Sequence, residues 1–372
     1  MKGVEAHALP QLTDQWVFLL TRTFTFSPND PNLGPLPAHD SVKAVRVSDR
    51  SEVTVAAFTS AVTTVTVDNL LREQFSPDGR QLVLSVVIGD TGRERAALVI
   101  VDLATGAVRQ LTMDAAYNDL QPAWSPTANG IAFARTRIGA GDAGIWVVDA
   151  GGAIPPRQVL ADDAAPGVTA VFSWTGDGSG IGFRRGFETA RYSVLEVATG
   201  RITQVGELFV NGRDCCDWRQ GGPAFVGALE VSPDKSDQSI VVADDGLGRT
   251  SRVLLTRPQQ TGSDLLVRAR WRPGADDILY VSVTGDRSGQ PSSSEIVVTP
   301  STRAAPRSVI RAPEQVLAAW TPDGARIVYF QGRGFGGIWM VRPDGSDRQG
   351  LASFGGVPEA NIRQLDLAVV GY

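Results

Sequence analysis

Trp320-Thr-Pro-Asp-Gly324 ends one predicted strand and begins the next, and related turns recur along the chain. Proline after Ser or Thr presets the backbone of such a turn, and glycine supplies a positive φ at its end. The clear copies begin at positions 75, 124, 174, 231, 271 and 320, so they are spaced 49, 50, 57, 40 and 49 residues apart. They are Phe75-Ser-Pro-Asp-Gly79, Trp124-Ser-Pro126, Trp174-Thr-Gly-Asp-Gly178, Val231-Ser-Pro-Asp234, Trp271-Arg-Pro-Gly274 and Trp320-Thr-Pro-Asp-Gly324, with Phe26-Ser-Pro-Asn-Asp30 as a weaker seventh.

A period near 50 residues made of short strands is typical of a β-propeller, whose sheets cannot bury their apolar faces alone and must pack against neighbours. We therefore predict an all-β fold with four-stranded blades. Trp146 and Trp339 occupy matching third-strand positions, and we expect the rings at both repeat positions to fill the wedges between blades. The tryptophans that end a strand before a turn are Trp124, Trp174, Trp271 and Trp320.

The end of the chain predicts how the ring closes. Ile362–Val370 is a predicted strand with no unit after it. We expect it to pair with the N-terminal strands, which leaves no exposed sheet edge. Residues 1–372 then form a single propeller domain, with residues 1–14 as an N-terminal extension and residues 15–70 plus 361–372 as a composite first blade. The count is seven blades, or six if the region before Leu70 is an appendage.

The composition excludes several classes of protein. The chain has 372 residues, a net charge of −5 and a pI near 5.2, so it lacks the basic face of a nucleic-acid-binding protein. No run of about 18 apolar residues is present, so no membrane span is predicted. Residues 1–13 lack the pattern of a secretory signal. A cytoplasmic protein and a mature protein whose leader was removed both fit the sequence.

One repeat pattern resembles a known family. Pro122-Ala-Trp-Ser-Pro126, then Ile131-Ala-Phe133 and Ile145-Trp-Val-Val-Asp149, is similar to the repeat of TolB-type β-propellers, also called WD40-like or PD40 repeats. The resemblance covers roughly residues 70–352. The family includes a periplasmic envelope protein that binds a lipoprotein, propellers attached to serine peptidases, and sugar-acid lyases. The resemblance therefore implies a bacterial protein, periplasmic or secreted, with the cytoplasm as the alternative.

The residues present exclude two of those activities. A peptidase needs a Gly-x-Ser-x-Gly elbow and a downstream His, and no such elbow occurs. The lyases use several histidines around a metal, whereas this chain contains only His7 and His39. We predict no catalytic residues and no metal site, and we expect both histidines to be incidental.

The longer predicted loops fall on one rim, between second and third strands and between units. Loops positioned on a rigid frame are where recognition usually resides, so we predict this long-loop rim as the working face. Its basic and aromatic groups suit a carboxylate or an acidic peptide. The predicted partner-binding residues are Arg184, Arg185, Phe187, Glu188, Arg191, Arg213, Asp214, Asp217, Trp218 and Arg219.

Two further groups have several interpretations. The adjacent Cys215 and Cys216 are compatible with free thiols, with a vicinal disulfide or, least well, with a metal site.

Oxygen-rich side chains occupy equivalent positions between units, near the expected channel mouth, and such groups hold Ca²⁺ or a sugar. No other cofactor is predicted. The oxygen-rich segments are Tyr117-Asn118-Asp119, Glu314-Gln315 and Glu359-Ala-Asn361.

These observations predict a non-catalytic β-propeller scaffold that binds a protein or peptide partner through the long-loop rim. The alternative is a propeller enzyme acting on carbohydrate, a glycosidase or lyase, through carboxylates on the same rim. Such an enzyme needs two carboxylates within about 10 Å of each other in a concave pocket. A third possibility is a ligand sensor that holds a small acid in the channel.

Overall fold

Seven antiparallel blades follow one another around a central channel, and the chain termini meet in the first of them. A single residue pair, Glu207↔Glu230, joins the fourth and fifth blades into one continuous sheet. The computed structural model describes residues 3–25, 36–58, 72–89, 93–140, 143–161, 168–185, 190–208, 216–230, 237–245, 251–258, 265–285, 291–313, 316–333, 335–354 and 361–371. Within these ranges the fold is all-β, with a single 3₁₀ turn at Arg72–Gln74, and no helix has the length and apolarity needed to cross a membrane. The predicted fold class and the count of seven blades are confirmed.

Blade 1 contains both ends of the chain. Its innermost strand, β28, is C-terminal and pairs antiparallel with β2 from Trp16↔Val370 to Phe24↔Asn361, which confirms the predicted closure. The N-terminal β1 adds a fifth strand on the outer edge. From outside to inside, the strands are β1 (Val4–Ala6), β4 (Glu52–Phe58), β3 (Leu36–Arg46), β2 (Trp16–Thr25) and β28 (Asn361–Val370).

Blade 2 differs from the others at its inner edge. The 3₁₀ turn and a single bridge between Phe75 and Leu82 stand where other blades have a first strand. The next two strands are apolar almost throughout, because both faces of a blade pack on neighbouring blades, whereas the outermost strand is mostly polar. The three strands are β5 (Gln81–Ile88), β6 (Arg95–Asp102) and β7 (Val108–Gln110).

Blades 3 and 4 are regular four-stranded meanders, with the first strand innermost. Each first strand ends at a tryptophan that stands just before the repeated turn, Trp124 or Trp174. We call the aromatic residue at this position the anchor of its blade. Blade 3 comprises β8 (Tyr117–Trp124), β9 (Gly130–Arg137), β10 (Ala143–Asp149) and β11 (Arg157–Ala161). Blade 4 comprises β12 (Val168–Trp174), β13 (Gly180–Arg185), β14 (Ala190–Glu196) and β15 (Ile202–Leu208).

Blade 5 corrects the repeat assignment at Val231. The innermost strand is β16, which ends at Trp218, and the backbone N–H of Arg219 donates to the Ala224 carbonyl at 2.7 Å. This is the turn bond that Thr175 makes to Gly180 after Trp174. Trp218 is therefore the anchor, 44 residues after Trp174 and 53 before Trp271. The strands are β16 (Cys216–Trp218), β17 (Phe225–Glu230), β18 (Asp237–Ala243) and β19 (Ser251–Pro258).

Blades 6 and 7 return to the regular pattern, with anchors Trp271 and Trp320. Blade 6 comprises β20 (Leu265–Trp271), β21 (Asp277–Gly285), β22 (Pro291–Pro300) and β23 (Arg307–Ala312). Blade 7 comprises β24 (Val316–Trp320), β25 (Ile327–Arg333), β26 (Phe335–Val341) and β27 (Gln349–Phe354).

The core lies between blades. Each anchor ring packs on the preceding blade, as Trp124 does against Val83 and Leu98 of blade 2. The indole N–H of Trp174 donates to the Ala123 carbonyl at 3.0 Å, which fixes the ring to the neighbouring inner strand. The predicted wedge role of these tryptophans follows from this packing.

The repeated turns are held by short side-chain bonds. The Thr175 hydroxyl donates to Asp177 at 2.6 Å, and Gly178 adopts a φ of 73°, a conformation that favours glycine. The same hydroxyl–carboxylate bond recurs between Thr321 and Asp323. These turns follow the inner strands, so they lie around one end of the channel. We call this end the short-turn face and the opposite end the long-loop face.

Candidate functional site

A cavity of about 170 Å³ opens where the inner strands reach the short-turn face. A second lobe of about 60 Å³ adjoins it and shares Arg72, Glu73, Asp217 and Pro322. Together the two lobes are lined by the inner elements of all seven blades. We refer to both lobes as the central cavity.

The 3₁₀ turn of blade 2 places Glu73 in the wall of this cavity. The side-chain oxygen Oε2 of Glu73 is buried and makes no hydrogen bond. A buried acceptor without a partner costs free energy, so its retention needs an explanation. Burial raises the pKa of Glu73, the nearby charge of Arg270 opposes this, and the charge of Asp217 adds to it.

A second carboxylate, Asp217, lines both lobes of the cavity. Its position is fixed because Oδ2 accepts the backbone N–H of Trp271 at 2.8 Å, a bond that also joins blades 5 and 6. Burial raises the pKa of Asp217 as well, against the opposing charge of Arg270 and the Trp271 N–H bond. Two carboxyl groups in one cavity thus share an environment that disfavours their charged forms.

The smaller lobe carries the basic groups. Arg270 Nη1 donates to the carbonyls of Cys216 at 2.8 Å and Ala269 at 3.1 Å, which holds the guanidinium beside blade 5. Arg268 is buried and has a φ of 57°, at a register shift in β20. A non-glycine residue in this conformation is strained, and such strain concentrates at functional sites.

Aromatic rings form the apolar wall of the larger lobe. Ser173 and Trp218 also line this lobe, and both side chains hydrogen-bond the buried hydroxyl of Tyr192. The cavity therefore combines aromatic surface with an unsatisfied acceptor, Oε2 of Glu73. The rings are Phe75, Trp124, Trp174 and Trp218.

Among the residues that the structure describes, the predicted partner-binding residues lie at two opposite ends of the ring. β13 leaves the short-turn face at Gly180, so Arg184 and Arg185 lie at its long-loop end, where Arg185 pairs with Arg191 of β14. Asp217, Trp218 and Arg219 lie at the opposite end of the ring, because β16 runs into the short-turn face. The remaining predicted residues, Phe187, Glu188, Arg213 and Asp214, lie outside the described residues.

Two members of that set have structural roles. Trp218 is 6% exposed and packs in the core between blades 4 and 5. Arg219 pairs with Asp276 of the next turn at 2.6 Å, and its guanidinium lies 5.5 Å from the Trp271 ring centroid. Both contacts join neighbouring blades.

Cys216 is disulfide-bonded. The sequence offers one other cysteine, Cys215, which lies outside the described residues. Cys216 is therefore not a free thiol, and its vicinal pairing with Cys215 stays a prediction.

Two side chains of the oxygen-rich segment Tyr117-Asn118-Asp119 are already hydrogen-bonded within the protein. Both carboxylate oxygens of Asp119 accept hydrogen bonds from Arg135, at 2.6 and 2.9 Å, and Asn118 Oδ1 accepts the Ala96 N–H at 2.8 Å. This segment begins β8 and so lies toward the long-loop face. Glu314, Gln315 and Glu359 lie outside the described residues. The described residues contain no cluster of three His, Cys, Asp or Glu side chains arranged to hold a metal ion.

Sequence reasoning did not select Arg72, Glu73, Arg268 or Arg270. One signal was available, because the residue just before an anchor lines the cavity in blades 4, 5 and 6, as Ser173, Asp217 and Arg270. That signal depends on recognising Trp218 as an anchor. Glu73 precedes Phe75 by two positions on a turn with no strand pattern.

Comparison with known proteins supports the fold and leaves the activity open. No protein-family model matches the sequence, and no curated protein sequence is significantly similar. A solved oligogalacturonate lyase in complex with manganese is 13% identical, covers 92% of this chain and 86% of that one, and gives a TM-score of 0.57. One of two prolyl endopeptidases gives a TM-score of 0.61 at 10% identity over 97% of this chain.

This chain spans half the length of that endopeptidase. A putative TolB from Agrobacterium tumefaciens matches over 95% of this chain at 11% identity, with a TM-score of 0.45 that carries no conclusion. At identities this low, the likeness shows a shared β-propeller fold alone. The resemblance to TolB-type repeats stays a prediction beyond the fold itself.

Proposed function

We propose that this protein is a non-catalytic binding propeller that holds a small polar ligand in its central cavity, at the short-turn face. The observation that carries the proposal is the buried Oε2 of Glu73, which lacks a hydrogen bond although it lines an open cavity. A ligand that donates a hydrogen bond to this oxygen removes the cost of leaving it unsatisfied.

The surroundings of Glu73 are typical of a small-molecule site. Such sites are concave and largely apolar, with a few converging polar groups that orient the ligand. Here the anchor rings supply the apolar surface, and Asp217 and Ser173 supply polar groups beside Glu73. The inner strands that carry these groups are rigid elements, which suits a preorganised site.

The proposal is tested by thermal-shift and calorimetric screening at pH 8 against hexoses, hexuronic acids, amino acids, small amines and short peptides. We expect at least one compound class to raise the melting temperature of the wild-type protein and to lose about tenfold or more in affinity in Glu73→Gln, because the hydrogen bond to a charged acceptor is lost. The matched control is Glu52→Gln, an exposed glutamate on the outer strand β4.

Ligands whose binding is unchanged in Glu73→Gln would contradict the cavity proposal. Such ligands bind elsewhere, and peptides among them would favour the long-loop face. The predicted peptide-binding role of that face, like the predicted periplasmic or secreted location, stays a prediction.

A second candidate function is catalysis on carbohydrate. It is favoured by the two carboxyls, Glu73 and Asp217, that line one cavity and whose pKa values burial raises, since a glycosidase uses one carboxylic acid to protonate a leaving group. The oligogalacturonate lyase shares this fold. Turnover of oligosaccharides that is abolished in both Glu73→Gln and Asp217→Asn would establish the enzyme; binding without turnover would exclude it.

A further inference from the structure

The charges of the larger lobe set the chemical class of its ligand. Its charged lining consists of two carboxylates, Glu73 and Asp217, and one exposed guanidinium, Arg72. Arg268 and Arg270 line only the smaller lobe, and Arg270 is bonded to the carbonyls of Cys216 and Ala269. A group placed among the aromatic rings therefore has two carboxyl groups and one guanidinium in the wall of its own lobe.

The arginines near Glu73 act on its carboxyl group without outweighing the effect of burial. Arg270 and Arg72 both favour ionisation of Glu73, yet the pKa of Glu73 remains raised because burial is the largest influence on it. An anionic ligand in the larger lobe would add to the repulsion. A cation would supply both the missing charge and the missing hydrogen-bond donor at Oε2.

The aromatic wall points to the same class of ligand. Trp124, Trp174, Trp218 and Phe75 line the lobe together with the carboxylates. Tryptophan rings attract cations through their negative faces, and cages of aromatic rings are a recurring means of recognising organic ammonium groups. The apolar ring surface also suits the carbon skeleton of such a ligand.

We infer that the ligand of the central cavity is a small organic cation, whose ammonium or guanidinium group donates to Glu73 Oε2 while its carbon skeleton packs among Phe75, Trp124, Trp174 and Trp218. This inference rests on the proposed function and narrows it to one class of ligand. The proposed interaction is non-covalent binding.

The test compares benzylamine with benzyl alcohol, a neutral probe of nearly the same shape, by calorimetry and tryptophan fluorescence at pH 8. We expect benzylamine to bind at least about tenfold more tightly, the factor supplied by a charge-assisted hydrogen bond. Glu73→Gln should remove this preference by weakening benzylamine alone, Glu73→Asp should restore part of it, and Glu52→Gln should bind both probes as the wild type does.

The pH dependence provides a second readout. The groups that act on Glu73 are Arg270, Asp217 and Arg72. Because the pKa of Glu73 is raised, we expect benzylamine affinity to fall as the pH is lowered, beginning above the usual range of a glutamate. Benzylamine itself stays protonated over this range. The Glu73→Gln variant should lose most of this pH dependence. Any dependence that remains would come from the titration of Asp217.

The outcomes separate this inference from the proposed function. If both probes bind equally and Glu73→Gln weakens both, the cavity binds ligands but does not select cations, so the inference is overturned and the proposed function stands. If benzylamine binds equally well to the wild type and Glu73→Gln, both are overturned. If benzylamine does not bind, the inference is overturned, and the proposed function stands as long as another screened compound binds in a way that depends on Glu73.

Discussion

At the scale of single residues, the least expected feature is the acid placed inside the channel. Glu73 occurs on a three-residue turn rather than on a strand, so no hydrophobic alternation marks it. Its environment disfavours ionisation, which means that the folded protein holds an acid at a cost in stability. A buried carboxyl group with a raised pKa destabilises the fold, so a role in ligand binding explains Glu73 better than a role in folding.

Glu73 should make stability depend on pH in a defined direction. A raised pKa in the folded state favours the protonated form, so this contribution to stability is present at low pH and lost as the pH rises through the raised pKa. We therefore expect Glu73→Gln to unfold at a higher temperature than the wild type at pH 8, with the difference shrinking toward pH 4. Differential scanning calorimetry at both pH values measures this. A variant less stable than the wild type at pH 8 would show that the carboxylate stabilises the fold.

At the scale of elements, the repeated turn acts as a small hydrogen-bonded unit. In the blade 4 copy, the carboxylate of Asp177 accepts from the hydroxyls of Thr175 and Ser179 and from the Ser179 N–H. Burial is the largest single influence and raises the pKa of Asp177, but these bonds together outweigh it and lower that pKa. The turn therefore depends on the ionised aspartate.

Asp177→Ala should lower the unfolding free energy by about 1 kcal/mol at pH 7, the usual value of a hydrogen bond. With a lowered folded-state pKa, the contribution is present above the ordinary pKa of aspartate and lost as the pH falls through the folded value. The difference from the wild type should thus vanish in acid. Urea denaturation at pH 7 and pH 3 measures it, with the exposed Asp244→Ala as the control. A loss that persists unchanged at pH 3 would assign the effect to packing.

The turns also show what sequence alone can and cannot decide. Ser-Pro-Asp-Gly chemistry identifies blades 2 and 7 at once, because the side-chain bonds are local. It fails in blade 5, where Val231-Ser-Pro-Asp234 matches the pattern better than Trp218-Arg-Gln-Gly-Gly222. Only the pairing of β16 with β17 selects Trp218, and strand pairing is a long-range property. The convergence predicted for Arg184 and Arg219 fails for the same reason, since one shifted anchor moves a loop to the opposite face.

At the scale of the whole molecule, closure depends on β28. This strand pairs with β2 over nine residue pairs and also contacts blade 7, so it joins the last blade to the first. The sequence predicted this strand and its pairing, because the strand has no repeat unit of its own. The sequence did not predict that β28 lines the cavity, because Ala368, Val369 and Val370 reach the two lobes only in the closed ring.

Deleting residues 361–372 should therefore open the ring. We expect a melting temperature lower by 10 °C or more, on the order set by losing several kcal/mol of strand pairing and core burial, together with aggregation through the exposed edge of β2. Deleting residues 1–6, which removes only the outer strand β1, is the matched control and should cost much less. Calorimetry and light scattering distinguish the two. Equal stability of both truncated proteins would mean that β28 does not close the ring.

The turns of the short-turn face are joined to one another as well as to their own blades. Arg219 pairs with Asp276, Arg272 donates to the Gly324 carbonyl at 2.8 Å, and Gln15 donates to Asp323 at 3.2 Å. These three links join the turns of blades 5, 6, 7 and 1 along one side of the cavity mouth. A ligand must pass these linked turns before it reaches Glu73. Bulky compounds of the right charge should therefore bind weakly because they associate slowly, rather than because they dissociate quickly.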